Sequence, residues 1–327
     1  MKLDLPLINT HTHAAMIGLR GLGEDESLHS WLNNYIWPAE KKIDKKFVFD
    51  QSKKAIGEMQ KNKIAAFCDM YFYEDEVARA AIKMQMPVVL GIVMTDSSET
   101  AFDRKLAETE KLILKYKDNP YVSVSVAPHA IYTVKKENLI KAKALARKYG
   151  VLFQMHLAET KKEFDDCVNK NGSTPTQYVD DLGLLDRHTL LAHCVWVTDE
   201  DIAIIAKSGA SVAHCPLSNL KLGSGIAPIA KMLRAGINVS IGTDGPASSN
   251  RLDIWEAGKI AALLQKGINH DPSIINSLDI VKMMTVNGMR ALHIDKIEGR
   301  TVSQIDKQID KISDLNFLYH LNIEDLK

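Results

Sequence analysis

Residues 5–13 read LPLINTHTH, a short apolar run that ends in polar residues and two histidines. Each run of this kind is mostly apolar rather than alternating, as expected of strands covered on both faces in a parallel sheet. Seven further runs follow along the chain: IAAFCDMYF (64–72), PVVLGIVM (87–94), YVSVSVAPH (121–129), VLFQMHLAE (151–159), TLLAHCVWV (189–197), ASVAHCPLS (210–218) and INVSIGTDG (237–245).

The segments between these runs predict helices. In KKENLIKAKALARKYG (135–150), apolar residues recur on one face and Gly150 stands at the end as a cap. Eight strands that alternate with helices predict an α/β protein with a closed (β/α)8 TIM-type barrel, rather than an open doubly wound sheet. No glycine-rich phosphate fingerprint follows the first run, which argues against a dinucleotide fold.

Composition excludes several classes of function. Lys+Arg and Asp+Glu are equal at 41 each, so nothing favours nucleic acid or an anionic membrane as a partner. No apolar run reaches the roughly 18 residues of a membrane span, and the N-terminus is a poor signal peptide. The four cysteines lack CxxC spacing and predict buried, reduced thiols in a cytoplasmic protein.

Two segments fall outside the strand–helix alternation. Residues 14–62 are too long for one crossover, and Trp31, Tyr35 and Trp37 in them predict either a lid over a pocket or aromatic packing of the loop itself. In the tail, apolar residues recur at helical intervals. We expect residues 1–300 to form the barrel and residues 301–327 a helical tail packed on it.

Polar side chains concentrate at the carboxyl ends of the predicted strands, where active sites of this barrel lie. They are His11, His13, His129, His156, Glu159, His193, His214 and Asp244.

Two of these residues, His11 and His13, point to the same side of a strand and can hold one ion between them. With His156 and Asp244 they predict a site of three imidazoles and one carboxylate. This ligand set suits Zn²⁺ or Fe²⁺, with Zn²⁺ preferred, far better than Mg²⁺ or Ca²⁺. The fourth run offers no lysine or acid to bridge a second ion, so we expect one metal and a separate role for His193 in handling protons.

This arrangement predicts hydrolysis. A bound ion lowers the pKa of water from about 15.7 toward about 7. Asp244 is placed to accept the proton of that water. Glu159, three residues beyond His156, is placed to protonate a ring nitrogen as the adjacent carbon is attacked.

Longer motifs carry a family resemblance: INTHTHAAM, LRGLGED, WPAEKK, FCDMYF, APHAIYT, HLAET, LLAHCVWV, HCPLSNLKLGSGIAPI and IGTDGPASSN. From about residue 6 to residue 300, the chain closely resembles the amidohydrolase superfamily. Within it, the chain is similar to the 5′-methylthioadenosine/S-adenosylhomocysteine deaminase group. The resemblance implies a TIM-type barrel with one divalent metal that hydrolyses the 6-amino group of adenosine-type nucleosides, giving inosine-type products and ammonia.

The resemblance also implies roles for individual residues. Glu159 would protonate the purine ring, and His193 with Asp244 would handle the hydrolytic water. Glu40 of WPAEKK would bind the ribose hydroxyls, and His129 of APHAIYT would contact the substrate. The metal ligands would be His11, His13, His156 and Asp244.

Two departures from the family pattern qualify these expectations. The leader and the tail are short, so we expect the family's accessory β-sandwich to be largely or wholly missing. After the third strand, only Arg104 is available to bind an amino-acid carboxylate. We therefore expect a preference for compact substrates such as 5′-methylthioadenosine, 5′-deoxyadenosine or adenosine over S-adenosylhomocysteine.

Other functions stay open at this point. A guanine, cytosine, 6-aminodeoxyfutalosine or triazine hydrolase would share the metal site without needing Glu40. A barrel that binds metal and ligand without catalysis is a further alternative. The expected partner is a small purine nucleoside, in a purine-salvage role. The oligomeric state stays open, with a homo-oligomer as one alternative.

Overall fold

The structure, a computed structural model, describes residues 4–98, 100–312 and 317–320. All eight predicted runs contain strands. The first four runs form one parallel sheet and the last four form another, and β5 continues the fourth run by pairing with β3. The strands are β1 (Leu7–Thr12), β2 (Ile64–Tyr71), β3 (Val88–Met94), β4 (Val122–Val124), β5 (Ala127–Pro128), β6 (Phe153–Leu157), β7 (Thr189–His193), β8 (Ser211–His214) and β9 (Asn238–Ile241).

Backbone hydrogen bonds join the two sheets at both edges. At the first junction, Val126 N donates to Leu152 O at 2.8 Å, and Val126 pairs in parallel with Phe153. At the second junction, Asp244 N donates to His11 O at 2.9 Å. The predicted (β/α)8 TIM-type barrel is therefore confirmed.

Helices surround the barrel and fill the connections between its strands. A 3₁₀ turn (Ala14–Leu19) and a π-helical turn (Leu32–Ile36) lie in the first connection. The α-helices are α1 (Leu28–Trp31), α2 (Trp37–Glu40), α3 (Lys45–Lys61), α4 (Glu74–Met84), α5 (Ala101–Tyr116), α6 (Lys136–Tyr149), α7 (Lys161–Asn171), α8 (Pro175–Asp181), α9 (Asp199–Ser208), α10 (Pro216–Lys221), α11 (Ile229–Arg234), α12 (Pro246–Ser249), α13 (Ile254–Ile268), α14 (Ser277–Met284), α15 (Val286–Ala291), α16 (Val302–Ile309) and α17 (Phe317–His320).

Apolar side chains pack on both faces of the strands, but the barrel also contains buried polar pairs. Asn9 Nδ2 donates to Thr243 Oγ1 at 2.8 Å, and Thr243 N donates back to Asn9 Oδ1 at 3.0 Å. Gln154 Nε2 donates to Ser125 Oγ at 2.7 Å. Buried amides and hydroxyls are tolerated where they satisfy one another. The pair between Asn9 and Thr243 links β1 to the end of β9.

The first connection is held down at several points. Trp31 is buried and its Nε1 donates to Leu22 O at 2.9 Å. Arg20 Nη2 lies 2.8 Å from Glu58 Oε2, and Lys221 Nζ lies 2.8 Å from Glu24 Oε2. Packing of the loop thus explains part of its aromatic content. The same segment also covers a cavity, to which Trp31 and Trp37 both contribute.

Beyond the barrel, a two-stranded ribbon, β10 (Lys296–Ile297) with β11 (Arg300–Thr301), leads into α16. Ile305 and Ile309 of α16 are buried. Within the described residues, this ribbon provides the only strands outside the barrel. The division at residue 300 stays a prediction, and residues 313–316 and 321–327 of the predicted tail lie outside the described residues.

The cysteines and the lengths of the helices are the features that bear on the predictions from composition. All four cysteines are buried and unpaired, as predicted. Among the described helices, none combines the length and the apolar character that crossing a bilayer requires.

Gly242 lies where the end of β9 approaches β1. A Cβ on Gly242 would stand 2.9 Å from His11 Cβ and 3.0 Å from both His11 N and Cys215 Sγ. We expect Gly242→Ala to lower the free energy of unfolding by about 1–3 kcal/mol, because backbone must move to relieve the overlap. Urea unfolding measures the change.

The matched control is Gly267→Ala in α13, where a Cβ meets no atom of the described residues within 4 Å. Alanine is a better helix former than glycine, so this variant should gain about 0.5–1 kcal/mol. Equal effects of the two substitutions would contradict the close approach of the strands at Gly242.

Candidate active site

The carboxyl ends of the strands open into a cavity of about 880 Å³. Its lining includes seven of the eight predicted site residues: His13, Glu40, His129, His156, Glu159, His193 and Asp244. The eighth, His11, lies buried directly beneath, with its ring centroid 5.0 Å from that of His13. The fold therefore brings every predicted site residue to one place.

Five of these side chains form a compact cluster, which we call the rim cluster: His11, His13, His156, His193 and Asp244. Nitrogen atoms of His11, His156 and His193 lie within 4.8 Å of one another, and so do ligand atoms of His11, His13 and Asp244. His13 Nε2 is 3.2 Å from Asp244 Oδ1 and 3.4 Å from His156 Nε2. The ring centroid of His193 lies 5.6 Å from that of His11 and 5.4 Å from that of His156.

Backbone carbonyls orient two of the imidazoles. His13 Nδ1 donates to Met70 O at 2.5 Å, and His156 Nδ1 donates to His129 O at 2.9 Å. A hydrogen bond from Nδ1 leaves the Nε2 lone pair available on the other side of the ring. Both Nε2 atoms accordingly face the centre of the rim cluster, in the arrangement that protein metal sites use to orient their histidines.

Three donors hold the carboxylate of Asp244. Ser218 Oγ and Ser248 Oγ donate to Oδ2 at 2.5 and 3.0 Å, and Gly245 N donates to Oδ1 at 2.7 Å. Asp244 also has a left-handed backbone with φ of 62°. Such a conformation is costly for a residue other than glycine and persists where surrounding contacts determine it. The hydroxyls fix Oδ2 and leave Oδ1 turned toward the histidines.

The electrostatics of the rim cluster favour neutral imidazoles at His11 and His156, and a protonated His13 beside the ionised carboxylate of Asp244. Burial lowers the pKa values of His11 and His156 well below the ordinary range. Burial alone would raise the pKa of Asp244, but its hydrogen bond with His13 and the neighbouring imidazoles hold it well below its usual value. Burial also disfavours a charged His13, yet its contact with Asp244 raises the pKa of His13 to about 9.

These residues fit a divalent cation. His11 Nε2 is buried and has no hydrogen-bond partner among the described residues, although buried polar atoms are normally satisfied. A metal ligand must offer a lone pair, which neutral imidazole and carboxylate both do. Imidazole nitrogens with one carboxylate are typical of Zn²⁺ and Fe²⁺ sites.

Glu159 lies at the edge of the rim cluster, with Oε2 3.8 Å from His193 Nε2. Burial raises the pKa of Glu159 and so favours its protonated, donating form. Beneath it, the buried Glu163 carboxylate accepts from Ala158 N at 3.1 Å and from Glu159 N at 2.8 Å. Glu163 thereby holds the left-handed turn at Ala158, which presents Glu159 to the cavity.

The two residues assigned to substrate by resemblance alone also line the cavity. Glu40 ends α2, and burial raises the pKa of its carboxyl. His129 Nδ1 lies 2.9 Å from Thr133 Oγ1, whose own hydroxyl donates to Ala130 O. Nδ1 of His129 is therefore the donor, and Nε2 is left as an acceptor. Burial lowers the pKa of His129 to about 3, so the ring is neutral.

Several contributors to the site were not predicted from the sequence. Ser218 and Ser248 contact Asp244, Asn219 Oδ1 lies 2.8 Å from His193 Nδ1, and Lys105 lines the cavity. A helical serine, asparagine or lysine has no distinctive sequence signal. The sequence also placed His214 at the rim. It is buried there, and neither of its ring nitrogens has a hydrogen-bond partner in the part of the chain that the structure describes.

Lys105 is a partly buried cation in the cavity wall. Its Nζ donates to Val93 O at 2.7 Å and lies 4.8 Å from the ring centroid of Phe72. Burial lowers the pKa of Lys105 to about 8. A lysine whose charge is opposed by burial lowers the stability of the native state.

The serine contacts predict a loss of metal affinity on mutation. We expect Ser218→Ala to weaken Zn²⁺ binding by about 10- to 100-fold, because Asp244 Oδ2 loses its shorter hydroxyl partner. Competition with a chromophoric chelator measures the affinity.

The control is Ser249→Ala, whose hydroxyl contacts Gly245 O and Arg251 O rather than Asp244. Equal Zn²⁺ affinity in the Ser218→Ala variant and the wild type would show that Ser218 does not orient a ligand.

The lowered pKa of Lys105 predicts that the stability difference between Lys105→Met and the wild type depends on pH. Below about pH 8 the native protein carries the buried charge in full, so Lys105→Met should raise the free energy of unfolding there by about 1–2 kcal/mol. As the pH rises, the native state loses the Lys105 proton at a lower pH than the unfolded state does. The difference should therefore shrink from pH 8 upward and vanish above about pH 10.4.

Chemical unfolding from pH 6 to pH 10 tests this expectation, with Lys111→Met on the exposed side of α5 as the control. A stability difference that does not change with pH would exclude the buried charge as its cause.

Comparisons with known proteins agree with this geometry. The model of the amidohydrolase family matches residues 6–300. The 5-methylthioadenosine/S-adenosylhomocysteine deaminase of Thermodesulfovibrio yellowstonii is 43% identical over 296 residues, which cover 89% of this chain and 67% of that protein. The 5′-deoxyadenosine deaminase of Methanosphaera stadtmanae is 42% identical, covering 90% of this chain and 70% of that protein.

A solved structure is similar over nearly the whole chain. It is an adenosine deaminase from Xanthomonas campestris with bound zinc, which superimposes with a TM-score of 0.89 at 32% sequence identity. The match covers 97% of this chain and 75% of that one. The extent of the family match and the identity to these relatives lead to one conclusion: the chain belongs to the amidohydrolase family.

Proposed function

We propose that this protein is a metal-dependent aminohydrolase that converts adenosine-type nucleosides and water to inosine-type products and ammonia. The observation that carries the proposal is the presence, in one cavity, of the rim cluster together with Glu159 and Glu40. The deaminase names of the relatives, at 43% and 42% identity, support the same substrate class.

The proposed metal ligands are His11, His13, His156 and Asp244, and the proposed ion is one Zn²⁺, with Fe²⁺ as the alternative. The zinc in the similar adenosine deaminase structure supports this choice. When bound, the ion supplies Lewis acidity that lowers the pKa of water and provides a nucleophile at neutral pH.

Three side chains are placed to move protons. Asp244 Oδ1 faces the histidines and can accept the proton of the attacking water. Glu159, whose buried carboxyl favours the protonated form, donates to the purine ring nitrogen next to C6 as the C6–O bond forms. His193, 3.8 Å from Glu159, can relay the proton taken up by Asp244 to the amino group. The C6–N bond then breaks, ammonia leaves, and the proton of the C6 hydroxyl returns to Glu159 as the C6 carbonyl forms.

Other side chains recognise the nucleoside. The Glu40 carboxylate accepts hydrogen bonds from the ribose hydroxyls, which accounts for a carboxylate in the covered part of the cavity. His129 offers Nε2 as an acceptor to the substrate. Trp31 and Trp37 line the same cavity and supply apolar surface that excludes water.

The substituent at the 5′ position decides among related substrates. We propose a preference for the compact nucleosides 5′-methylthioadenosine, 5′-deoxyadenosine and adenosine. Arg104 is exposed, as a weak carboxylate site would be. Lys105 is a second cation in the cavity wall that the sequence analysis did not include. The measured rank of S-adenosylhomocysteine therefore tests whether these cations bind a carboxylate.

The wider biological setting follows from the substrate. A deaminase of these nucleosides belongs with purine salvage in the cytoplasm, acting on a free small molecule. A homo-oligomer is consistent with this role.

Ammonia release by metal-quantified protein tests the function. The substrates are adenosine, 5′-methylthioadenosine, 5′-deoxyadenosine, S-adenosylhomocysteine, adenine, guanine and cytosine. We expect fast release from the nucleosides, slow release from the free bases, and a lower kcat/KM for S-adenosylhomocysteine than for the best compact nucleoside. Release from guanine or cytosine alone would replace the proposal with a base deaminase, and no release from any substrate would favour a barrel that only binds.

Glu40 provides the discriminating variant. Glu40→Gln should lower kcat/KM for nucleosides by about 10- to 100-fold, because a charged acceptor for two hydroxyls becomes a neutral amide. Glu200→Gln, at an exposed position of α9 outside the cavity lining, is the control. Unchanged kcat/KM for nucleosides in Glu40→Gln would refute ribose recognition by this carboxylate.

A further inference from the structure

We propose that Asn219 is a positioning residue that keeps the ring proton of His193 on Nδ1 and so keeps Nε2 unprotonated toward the rim cluster. The tautomer follows from the geometry alone. Its consequence for catalysis rests on the proposed function.

The chemistry of the two atoms in contact shows which residue donates the hydrogen bond. Asn219 lies in α10, with Oδ1 2.8 Å from His193 Nδ1. An amide oxygen only accepts hydrogen bonds, so the proton between the two atoms belongs to His193. Placing the proton on Nε2 instead would leave two lone pairs facing each other at this distance.

The Nε2 side of the His193 ring faces the rim cluster and Glu159. The ring stacks on His156 with centroids 5.4 Å apart and lies 5.6 Å from the ring of His11. His193 Nε2 is 3.8 Å from Glu159 Oε2. An unprotonated Nε2 can accept a proton from water or the substrate there, or donate its lone pair to a cation, and a protonated Nε2 can do neither.

Asn219 is itself held rigidly. Its backbone N donates to Cys215 O at 3.0 Å, and its backbone O accepts from Ser224 N at 2.8 Å. The side chain is about 1% exposed, so solvent does not compete for the amide. The acceptor is therefore fixed in place before substrate arrives.

The side-chain amide of Asn219 makes its polar contact through Oδ1 alone, within the described residues. Its Nδ2 is buried and makes no hydrogen bond within the described part of the chain. A buried amide with an unsatisfied donor costs stability that an apolar side chain of the same size would avoid. Among the described residues, the contact with His193 is the one hydrogen bond of the side chain that offsets this cost.

A backbone hydrogen bond also holds the turn that follows β7. His193 and the following Cys194 have left-handed conformations, with φ of 74° and 48°. Cys194 N donates to Leu157 O at 3.0 Å, which ties this turn to the end of β6. The turn directs the side chain of His193 toward the cavity, and Asn219 then sets which ring nitrogen carries the proton.

Histidine-selective ¹⁵N NMR tests the tautomer without any turnover. Long-range ¹H–¹⁵N correlation spectra of the zinc-loaded protein separate Nδ1–H from Nε2–H rings, and His193→Gln assigns the resonances. We expect Nδ1–H for His193 in the wild type and in Asn219→Asp, which keeps an acceptor. In Asn219→Leu we expect the ¹⁵N shifts to move toward the opposite tautomer.

Kinetics test the consequence. Asn219→Leu should lower kcat by about 10- to 100-fold with little change in KM, and Asn219→Asp should recover at least part of that loss. Leu220→Ala, on the exposed side of α10, is the control and should behave as the wild type. Zinc content and thermal unfolding show whether each variant is folded, and Asn219→Ala replaces the leucine variant if that one does not fold.

The outcomes separate the two proposals. An Nε2–H tautomer in the wild type, as an inverted amide donating from Nδ2 would produce, overturns the role of Asn219. So does an unchanged kcat in the folded leucine or alanine variant. An Nδ1–H tautomer that depends on Asn219, in a protein that deaminates no nucleoside, supports the positioning role and overturns the proposed function.

Discussion

The closure of the barrel between β9 and β1 is the constraint on which the site depends. The chain meets itself there more than 230 positions apart, through the reciprocal bonds of Asn9 and Thr243. One rung further, Asp244 N donates to His11 O. This bond places the carboxylate beside the histidines of the first strand. The approach requires Gly242, because any side chain there would strike the backbone of His11.

Gathering five ionisable groups in a buried space has an electrostatic cost, and their surroundings are arranged to offset it. Burial keeps His11 and His156 neutral, while hydroxyls and a backbone N–H support the single negative charge of Asp244. Several left-handed non-glycine residues lie at the same level, at Ala158, His193, Cys194 and Asp244. Such residues persist only where their neighbours determine them, and two of them, His193 and Asp244, belong to the rim cluster.

In the proposed function, the residues of the reaction and the residues that bind the substrate lie on different segments. The rim cluster and Glu159 lie at the carboxyl ends of β1, β6, β7 and β9. Glu40 comes from the long first connection, and Lys105 from the first turns of α5. With the roles proposed above, substrate recognition can vary through these segments while the residues at the strand ends keep their arrangement, as in other barrels of this class.

Much of this could be predicted from the sequence because strand ends share one rim in a parallel barrel. The position of His11, His13, His156, Glu159, His193 and Asp244 after apolar runs was sufficient to predict that they meet. Glu40 and the substrate role of His129 followed only from family motifs, since nothing in the spacing distinguishes them.

Only the tertiary structure decided which side chains support this set. Ser218 and Asn219 each act on a residue 26 positions away, and a contact of that kind exists only once packing has brought α10 beside the strand ends. The sequence by itself thus determined the barrel, and which polar residues meet at its rim, through the recurrence of apolar runs. The orientation and protonation of those residues depend on hydrogen bonds and burial that only the folded chain provides.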